Sequence, residues 1–537
     1  MNFWKFLILI CLQCHISNHG LAQKNQLYRH LIDVRSYIFE LTVSDAHDTL
    51  FAKATIRFTV LAGTKDISFD LVSRKINGRG MKVISVHEVN QTVSSTHIND
   101  VLRCSFLTRL KPGTEKIITI NYKGIPADGL IISKNKYNKR TFFADNWPDR
   151  AHHWLPCIDH PSDKASVEFV VRAPAHYQVI ANGIQIEESN LNANEKLTSF
   201  RELIPLPMKV AVVGIADFAV QQAGEVEGIP VQSWVYPEDR VKGFYDYEQA
   251  VEILPFFISR IGPYPFKKLA NVQSKTIFGG MENAGAIFYS ENSVTGKRDM
   301  EALLAHEIAH QWFGNMATES HWSHIWLSEG FATYLAHLYL EQKYGSDTLK
   351  KSMSLERQTV LAFTKRKTGP VVDTSVTNFM DLLNANSYQK GAWILHMLRT
   401  VVGDTIFWKG LRTYYGLYTG KNASTDNFRK VMEDVSGIDL GQFFKQWLYK
   451  TGHPLLSVTW NYNASLRSLS VTITQQQKYL FHFPLTIQVH SGDGIINKTF
   501  SISQQQTILA IHSALKPGNV SIDPNVQLLF DGTIREK

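Results

Sequence analysis

The hydrophobic pattern of this chain changes its period twice, and no other feature of the sequence constrains the fold as strongly. From about residue 30 to 235, apolar and polar residues alternate, as they do between Ala52 and Val60, and such alternation is typical of half-buried β-strands. Turn signals such as Lys111-Pro112-Gly113 separate the alternating runs. The pattern predicts an N-terminal antiparallel β domain over residues 23–235.

Apolar residues recur every three or four positions between residues 236 and 455, which predicts a domain rich in α-helices. After His453-Pro454 the alternation returns, as in Leu456–Trp460, and short strands over residues 456–537 predict a small β-sandwich. The length of the chain also suggests about three domains. The predicted fold is therefore multidomain α+β, with helices over Tyr245–Ile261, Leu303–Gly314, Leu327–Tyr344, Tyr388–Val402 and Ser424–Val435.

The first 22 residues have the pattern of a secretory signal peptide. Lys5 precedes the apolar run Phe6–Leu12, and the small-residue segment Gly20-Leu21-Ala22 follows. The run is too short to span a membrane, and bulky residues before Cys11 and Cys14 argue against a lipoprotein anchor. The sequence predicts export to the periplasm or the medium, with no integral membrane segment once the signal is removed.

Composition is that of a folded globular protein, with 44% hydrophobic and 19% charged residues. A formal net charge of +8 is modest for this length and predicts no nucleic-acid partner. Beyond the predicted signal peptide only Cys104 and Cys157 remain. One disulfide and two buried thiols are both compatible with the sequence.

One segment of the helical region carries a metal-binding pattern. His306 and His310 stand four positions apart, so on a helix they are offset by about 40° with roughly 6 Å of rise and can face one ion. Glu329 follows after an eighteen-residue gap. Imidazole and carboxylate are the ligands of catalytic zinc, which keeps a fourth position for water. The pattern predicts one Zn²⁺ held by these three residues, with Glu307 as general base.

Several segments together resemble the aminopeptidase N family of gluzincin zinc metallopeptidases, a family that includes the leukotriene hydrolase branch. The resemblance covers nearly all of the chain after the signal peptide. It implies a thermolysin-like catalytic domain and hydrolysis of the N-terminal bond of peptides with a free α-amine, through a zinc-bound water. The matching segments are Gly279–Asn283, His306–Asn315, Trp326–Ala332, Tyr388–Ala392, Leu155–Ala165 and Trp447–Pro454.

The resemblance also assigns roles outside the metal site. Glu282 is expected to bind the substrate amine, which makes the enzyme an exopeptidase. Glu307 is expected to pass its proton to the leaving amine, and Tyr388 to donate a hydrogen bond to the oxyanion. The remaining substrate-binding candidates are Gly279, Gly280, Met281 and Asn283.

The sequence departs from the family pattern in three ways. Most members have alanine where this chain has Gly280, and the family's Gln or Glu upstream of the Pro156-Cys157 segment is missing. Asp145 or Asn146 is a candidate replacement for that amine ligand. Many members also continue into a large helical domain that covers the site. No such domain is expected here, so the resemblance predicts an open cleft or one closed by another subunit, as in a homo-oligomer.

Two other functions were weighed against the peptidase. A binding or scaffold protein of the same fold would not need the catalytic set, yet Glu307, Tyr388, Glu282 and the metal ligands are all present. A thermolysin-type endopeptidase shares the metal motif but not the Gly279–Asn283 segment. The sequence therefore favours an aminopeptidase acting on peptides.

Overall fold

The structure is a computed structural model that describes residues 31–89, 91–492 and 494–537. The predicted signal peptide lies outside these residues. None of the helices in the described ranges is both long and apolar enough to cross a membrane. The chain divides into two compact units. The first contains the chain as far as residue 322, and the second contains most of the later helices and the C-terminal strands.

Strands dominate the N-terminal part of the first unit, as the alternating pattern predicts. In β2, for example, Ala54, Ile56, Phe58 and Val60 are fully buried while their neighbours are not. The strands are β1 (Ile32–Thr42), β2 (Leu50–Val60), β3 (Thr64–Asp70), β4 (Gly80–Glu88), β5 (Gln91–Thr92), β6 (Ser94–Ile98), β7 (Val101–Leu110), β8 (Glu115–Ile125), β9 (Leu130–Lys134), β10 (Arg140–Ala144), β11 (Lys164–Pro174), β12 (Gln178–Ala181), β13 (Ile184–Asn192), β14 (Glu195–Pro207) and β15 (Val213–Ala216).

These strands form an eight-stranded sheet in the order β13-β14-β11-β1-β2-β8-β4-β5, a four-stranded sheet β12-β15-β10-β9 and a three-stranded sheet β3-β7-β6. The prediction of antiparallel pairing needs one correction, because β1 and β11 pair in parallel, with Ser36 opposite Ser166. More than a hundred residues separate the two strands, so no hairpin constrains their direction. Cys104 and Cys157 are both buried, and no disulfide joins them.

A five-stranded sheet follows and supports the candidate site. It joins strands from both sides of residue 235, because β17 pairs in parallel with β18 and β18 with β20. The strand order is β16-β17-β18-β20-β19. Its strands are β16 (Ala219–Val226), β17 (Ile229–Val235), β18 (Leu269–Ser274), β19 (Gly280–Met281) and β20 (Ala286–Ser290), and the short strands β21 (Thr318–Glu319) and β22 (Asn422–Ala423) pair with each other.

The first unit also holds helices α1 (Arg240–Tyr247), α2 (Ala250–Arg260) and α3 (Glu301–Ala309). The single helix predicted over 245–261 is therefore two helices. The helix predicted to reach Gly314 ends at Ala309, because the amides of Gln311 and Trp312 bond to carbonyls three residues back and the chain tightens into a turn. Helix α3 packs against α2 and β19.

Helices and then strands make up the second unit. The hydrophobic pattern did not predict helices α5 (Ser346–Thr364) and α7 (Asp404–Tyr418). The buried stripe of α5 is narrow and consists of Leu349, Met353, Glu356 and Val360. The helices are α4 (Trp326–Tyr344), α5 (Ser346–Thr364), a π-helical turn (Asn386–Lys390), α6 (Gly391–Val402), α7 (Asp404–Tyr418), α8 (Thr425–Ser436) and α9 (Gly441–Phe444).

The C-terminal strands lie where the returning alternation predicts them. They form two sheets, in the orders β27-β24-β23-β29 and β26-β25-β28. A β-rich N-terminal part, a helical middle and C-terminal strands are thus confirmed. The C-terminal strands are β23 (Leu455–Asn463), β24 (Ser468–Gln475), β25 (Phe483–Ser491), β26 (Gly494–Ile502), β27 (Gln506–His512), β28 (Asn519–Ile522) and β29 (Asp531–Glu536).

Candidate active site

The end of α3 brings two histidine rings together. The Nε2 atoms of His306 and His310 are 3.1 Å apart, and His310 Nδ1 lies 3.2 Å from the carbonyl oxygen of Phe313. Because a carbonyl only accepts, His310 carries its proton on Nδ1 and turns the Nε2 lone pair toward His306. A backbone carbonyl that fixes the ring in this way is the usual partner of a metal-binding histidine.

Glu329 supplies a third candidate ligand from the first turn of α4, where it is buried. His306, His310 and Glu329 each offer one ligand atom, and these atoms all lie within 4.8 Å of one another. Two imidazoles and one carboxylate suit zinc, whereas calcium and magnesium favour oxygen ligands alone. The residues present therefore fit a zinc ion.

Two carboxylates lie beside the histidines. Glu282 and Glu307 are both buried, and together with His310 they form a second group whose ligand-type atoms all lie within 4.8 Å of one another. Burial and the nearby charge of Glu307 raise the pKa of the Tyr289 phenol. Like charges this close favour a proton or a cation between them. An ammonium group is a cation of that kind.

Gly280 makes room for the Glu307 carboxylate. It lies in the edge strand β19, and a Cβ atom placed on it would come within 2.7 Å of Glu307 Cγ and closer still to Oε1. Contacts below about 3.0 Å force one group to move. The glycine that stands in place of the family's usual alanine therefore leaves the space that the Glu307 carboxylate occupies.

Replacing Gly280 by alanine should lower kcat by a few-fold to about tenfold with a smaller effect on KM, because the Glu307 side chain must shift away from the new Cβ atom. Steady-state kinetics on an aminoacyl substrate would measure this. Gly279→Ala should lose less, since nothing lies within 4 Å of a Cβ at that position. An unchanged kcat in Gly280→Ala would show that Glu307 relaxes at no cost.

Tyr388 lies in the π-helical turn of the second unit and is half-buried. The turn is anchored at both ends, by Asn386 Nδ2 bonding to the Gly369 carbonyl at 3.1 Å and Lys390 Nζ bonding to the Gly452 carbonyl at 2.9 Å. Single π-helical turns are often found at functional sites. The hydroxyl therefore projects from a firmly held segment.

The same region contains a close helix contact. A Cβ atom on Gly330 would come within 2.8 Å of the Cα atom of Gly391, so α4 and the start of α6 pack backbone against backbone. Glu329 immediately precedes Gly330, and Tyr388 lies three residues before Gly391. The glycine pair thus holds the segments that carry these two side chains.

Asp145 and Asn146 have partners inside the protein. Asp145 forms an ion pair with Arg150 at 2.9 Å and accepts hydrogen bonds from Thr276 Oγ1 at 3.1 Å and the Ile277 amide at 2.9 Å. Burial raises the pKa of this carboxyl, and the Arg150 charge opposes the shift. Asn146 makes three internal hydrogen bonds of its own. Asp145 therefore anchors the loop that leads into the Gly279–Asn283 segment.

Two residues that the sequence analysis did not single out also contact this segment. Gln311 and Asn315 each donate a side-chain hydrogen bond to the carbonyl oxygen of Glu282. Both follow His310 in the turn beyond α3. Both lie in the segment His306–Asn315 that carries the family resemblance, but the resemblance assigned no role to them.

Comparison with known proteins is consistent with this geometry. Residues 245–447 match the family described as "Peptidase family M1 domain", and residues 34–208 match "Peptidase M1 N-terminal domain". The chain is 28% identical over 435 residues to "Probable aminopeptidase 2" of Sulfurisphaera tokodaii, covering 76% of this chain and 54% of that protein.

Two further relatives carry similar names. "Leucyl aminopeptidase" of Saccharolobus solfataricus is 26% identical over 450 residues, which cover 79% of this chain and 54% of that protein. "Aminopeptidase A" of Gloydius brevicauda is 26% identical over 389 residues, which cover 68% of this chain and 40% of that protein. The chain thus spans about half the length of the curated relatives it matches.

Proposed function

Because this chain belongs to peptidase family M1, we propose that it is a zinc aminopeptidase that releases the N-terminal residue from peptides with a free α-amine. The observation that carries the proposal is the group formed by Glu282, Glu307 and His310, in which two buried carboxylates lie beside a candidate metal ligand. Relatives named as aminopeptidases support the same activity. A thermolysin-like fold for the helical domain and a β-sandwich for the C-terminal strands are part of this proposal.

His306, His310 and Glu329 would hold the zinc ion, a role supported by the closeness of their ligand atoms and by the Phe313 carbonyl on His310. Zinc bound by such ligands supplies a Lewis acid that lowers the pKa of water to about 7 and polarises a carbonyl. His306 is only half-buried, which leaves a side from which substrate can approach.

Glu307 is the proposed general base. It takes a proton from the attacking water and later delivers it to the nitrogen of the departing peptide, which leaves as an amine. The lack of a Cβ on Gly280 leaves room for its carboxylate in the observed position. Tyr388 is proposed to donate its hydroxyl hydrogen to the carbonyl oxygen as that oxygen gains negative charge.

Glu282 is proposed to bind the substrate ammonium. A carboxylate fixed at one end of the site pairs with the charged chain terminus and sets its distance from the scissile carbonyl. Only one residue of the peptide then fits between Glu282 and the point of cleavage. This role distinguishes an aminopeptidase from an endopeptidase with the same metal motif.

The amine role predicts a selective effect of Glu282→Gln. KM for substrates with a free α-amine should rise by about thirtyfold, because a charge-assisted hydrogen bond contributes about 2 kcal/mol. Activity on an N-acetylated substrate should stay at the low level of the wild type. A panel of aminoacyl-coumarin substrates, free and N-acetylated, with and without a chelator, measures both.

Glu202→Gln is a matched control, since Glu202 is an equally buried carboxylate of the first unit that accepts from the Ile204 amide instead. It should leave KM within a factor of about two. Efficient cleavage of N-acetylated substrates by the wild type would contradict the amine role. Activity that survives the chelator would contradict the zinc.

Export and self-association are separate proposals. Export to the periplasm or the medium is proposed from residues 1–22 of the sequence, and N-terminal sequencing of the secreted protein tests it, since a chain that still begins at Met1 would contradict cleavage. Self-association is proposed as the alternative to an open cleft, and light scattering tests that alternative, since a strict monomer would contradict it.

A further inference from the structure

We propose that Gln311 and Asn315 are positioning residues that hold the main chain of Glu282 and so set where its carboxylate meets the substrate amine. The proposal deepens the proposed function and rests on it. Neither residue needs to touch the substrate. They act through the segment that carries the amine-binding carboxylate.

Gln311 links three parts of the first unit with one side chain. Its Nε2 donates to the carbonyl oxygen of Glu282 at 2.9 Å and to that of Glu307 at 3.2 Å, and its Oε1 accepts from the Gly285 amide at 2.9 Å. The side chain is fully buried. One amide group therefore ties both sides of the Glu282 loop to helix α3.

Asn315 makes a second bond to the same carbonyl. Its Nδ2 donates to the Glu282 oxygen at 2.7 Å. Its own main chain is fixed as well, since its amide donates to the His310 carbonyl at 3.1 Å and its carbonyl accepts from Thr318 Oγ1 at 2.8 Å. Through Asn315, the Glu282 carbonyl is thus tied to the main chain of His310, a candidate metal ligand.

The two bonds to the Glu282 carbonyl lie just beyond the end of strand β19. Strand β19 ends at Met281, and its register with β20 pairs Gly280 and Met281 only. Glu282 is thus the first residue beyond the paired strand, and both lone pairs of its carbonyl are occupied by side-chain amides. Removing these bonds would take two donors from a buried carbonyl, and the loop would shift to replace them.

The position of Glu282 matters because the amine and the scissile carbonyl belong to one residue of the substrate. A displacement of about 1 Å at the amine or at the carbonyl misaligns the substrate and lowers the rate by up to a hundredfold. Tying the amine-binding loop to the segment that carries His306, Glu307 and His310 prevents such drift. The two amides therefore set selectivity for the α-amine rather than affinity for metal.

The test uses Gln311→Met and Asn315→Ala and compares two hydroxamates by calorimetry on the zinc-loaded protein. One is the hydroxamate of leucine, and the other is the same molecule with hydrogen in place of the amine. We expect the advantage of the amine-bearing hydroxamate over its partner to fall about tenfold in each variant. Affinity for the hydroxamate without the amine, and the zinc content, should stay at the wild-type values.

Gln273→Met is the matched control. Gln273 is a fully buried amide of the same unit with three hydrogen bonds, to the Tyr236 amide, Asp239 and the Glu291 carbonyl, and none of these involves the Glu282 loop. It should lower the melting temperature as much as Gln311→Met does, yet leave the preference for the amine unchanged.

The remaining outcomes decide against the proposal. Equal loss of affinity for both hydroxamates, or loss of folding in both variants, would make the two amides structural rather than positioning. An unchanged preference would show that Glu282 does not depend on them. A wild-type protein that binds both hydroxamates equally would instead overturn the proposed function, whatever the variants do.

Discussion

Glu307→Gln should lower kcat by about a thousandfold and leave KM within a few-fold of the wild type. A positioned general base contributes on the order of 10² to 10⁴ in rate, and glutamine keeps the shape of the side chain without its basicity. Glu307 is buried at the end of α3 beside Glu282 and His310. Because glutamine has the same shape, these neighbouring side chains need not move in the variant. Kinetics on a leucyl-coumarin substrate, at matched zinc content, give the result.

Binding provides the control for this variant. Its zinc content and its affinity for the hydroxamate of leucine should remain within about threefold of the wild type, because the three metal ligands and Glu282 are untouched. If the variant retained a tenth or more of the wild-type kcat, Glu307 would not be the general base. A variant that loses zinc would show that the side chain acts on the metal site instead.

The metal-binding pattern was predictable because it is local. His306 and His310 are four residues apart, and periodicity alone places them on one helix. Glu329 lies on a second helix, α4, that the same periodicity predicts. Helix α3 nevertheless ends earlier than its hydrophobic pattern suggests, at a turn in which Gln311 and Asn315 bond to the distant carbonyl of Glu282.

The parts that escaped prediction depend on partners distant in sequence. Gln311 and Asn315 bond to a carbonyl 29 and 33 residues away, and a main-chain acceptor leaves no trace in the sequence of the donor. Strand alternation likewise shows which face is buried but not which strand is the neighbour. For that reason the parallel pairing of β1 with β11, and the sheet that joins β17 to β18, were not foreseen.

Asp145 illustrates the same limit. Its place upstream of Pro156-Cys157 suggested a second ligand for the substrate amine, because a carboxylate there resembles the family's polar residue. Its oxygens are instead used by Arg150, Thr276 and the Ile277 amide. Sequence identifies a carboxylate, whereas only the packed structure shows which cation or donor it meets.

Tyr388→Phe should lower kcat by about a hundredfold to a thousandfold while KM stays within about threefold of the wild type. The substitution removes one oxygen atom and leaves the ring, and in the proposed mechanism the hydroxyl acts as the substrate oxygen gains charge. The fold should survive, since the π-helical turn is held by Asn386 and Lys390 and by the contact between Gly330 and Gly391. Steady-state kinetics on the free-amine substrate, with the melting temperature recorded, measure the effect.

Tyr462→Phe is the comparison for this variant. Tyr462 lies in the C-terminal strand β23, and its hydroxyl bonds to the carbonyls of Ser513 and Ala514. Losing that hydroxyl should lower stability by about 1 kcal/mol and leave kcat unchanged. A Tyr388→Phe enzyme with wild-type kcat would exclude an oxyanion donor at this position, and a rise in KM alone would assign the hydroxyl to substrate binding. A fall in kcat with an unchanged KM would show that the Tyr388 hydroxyl stabilises the transition state.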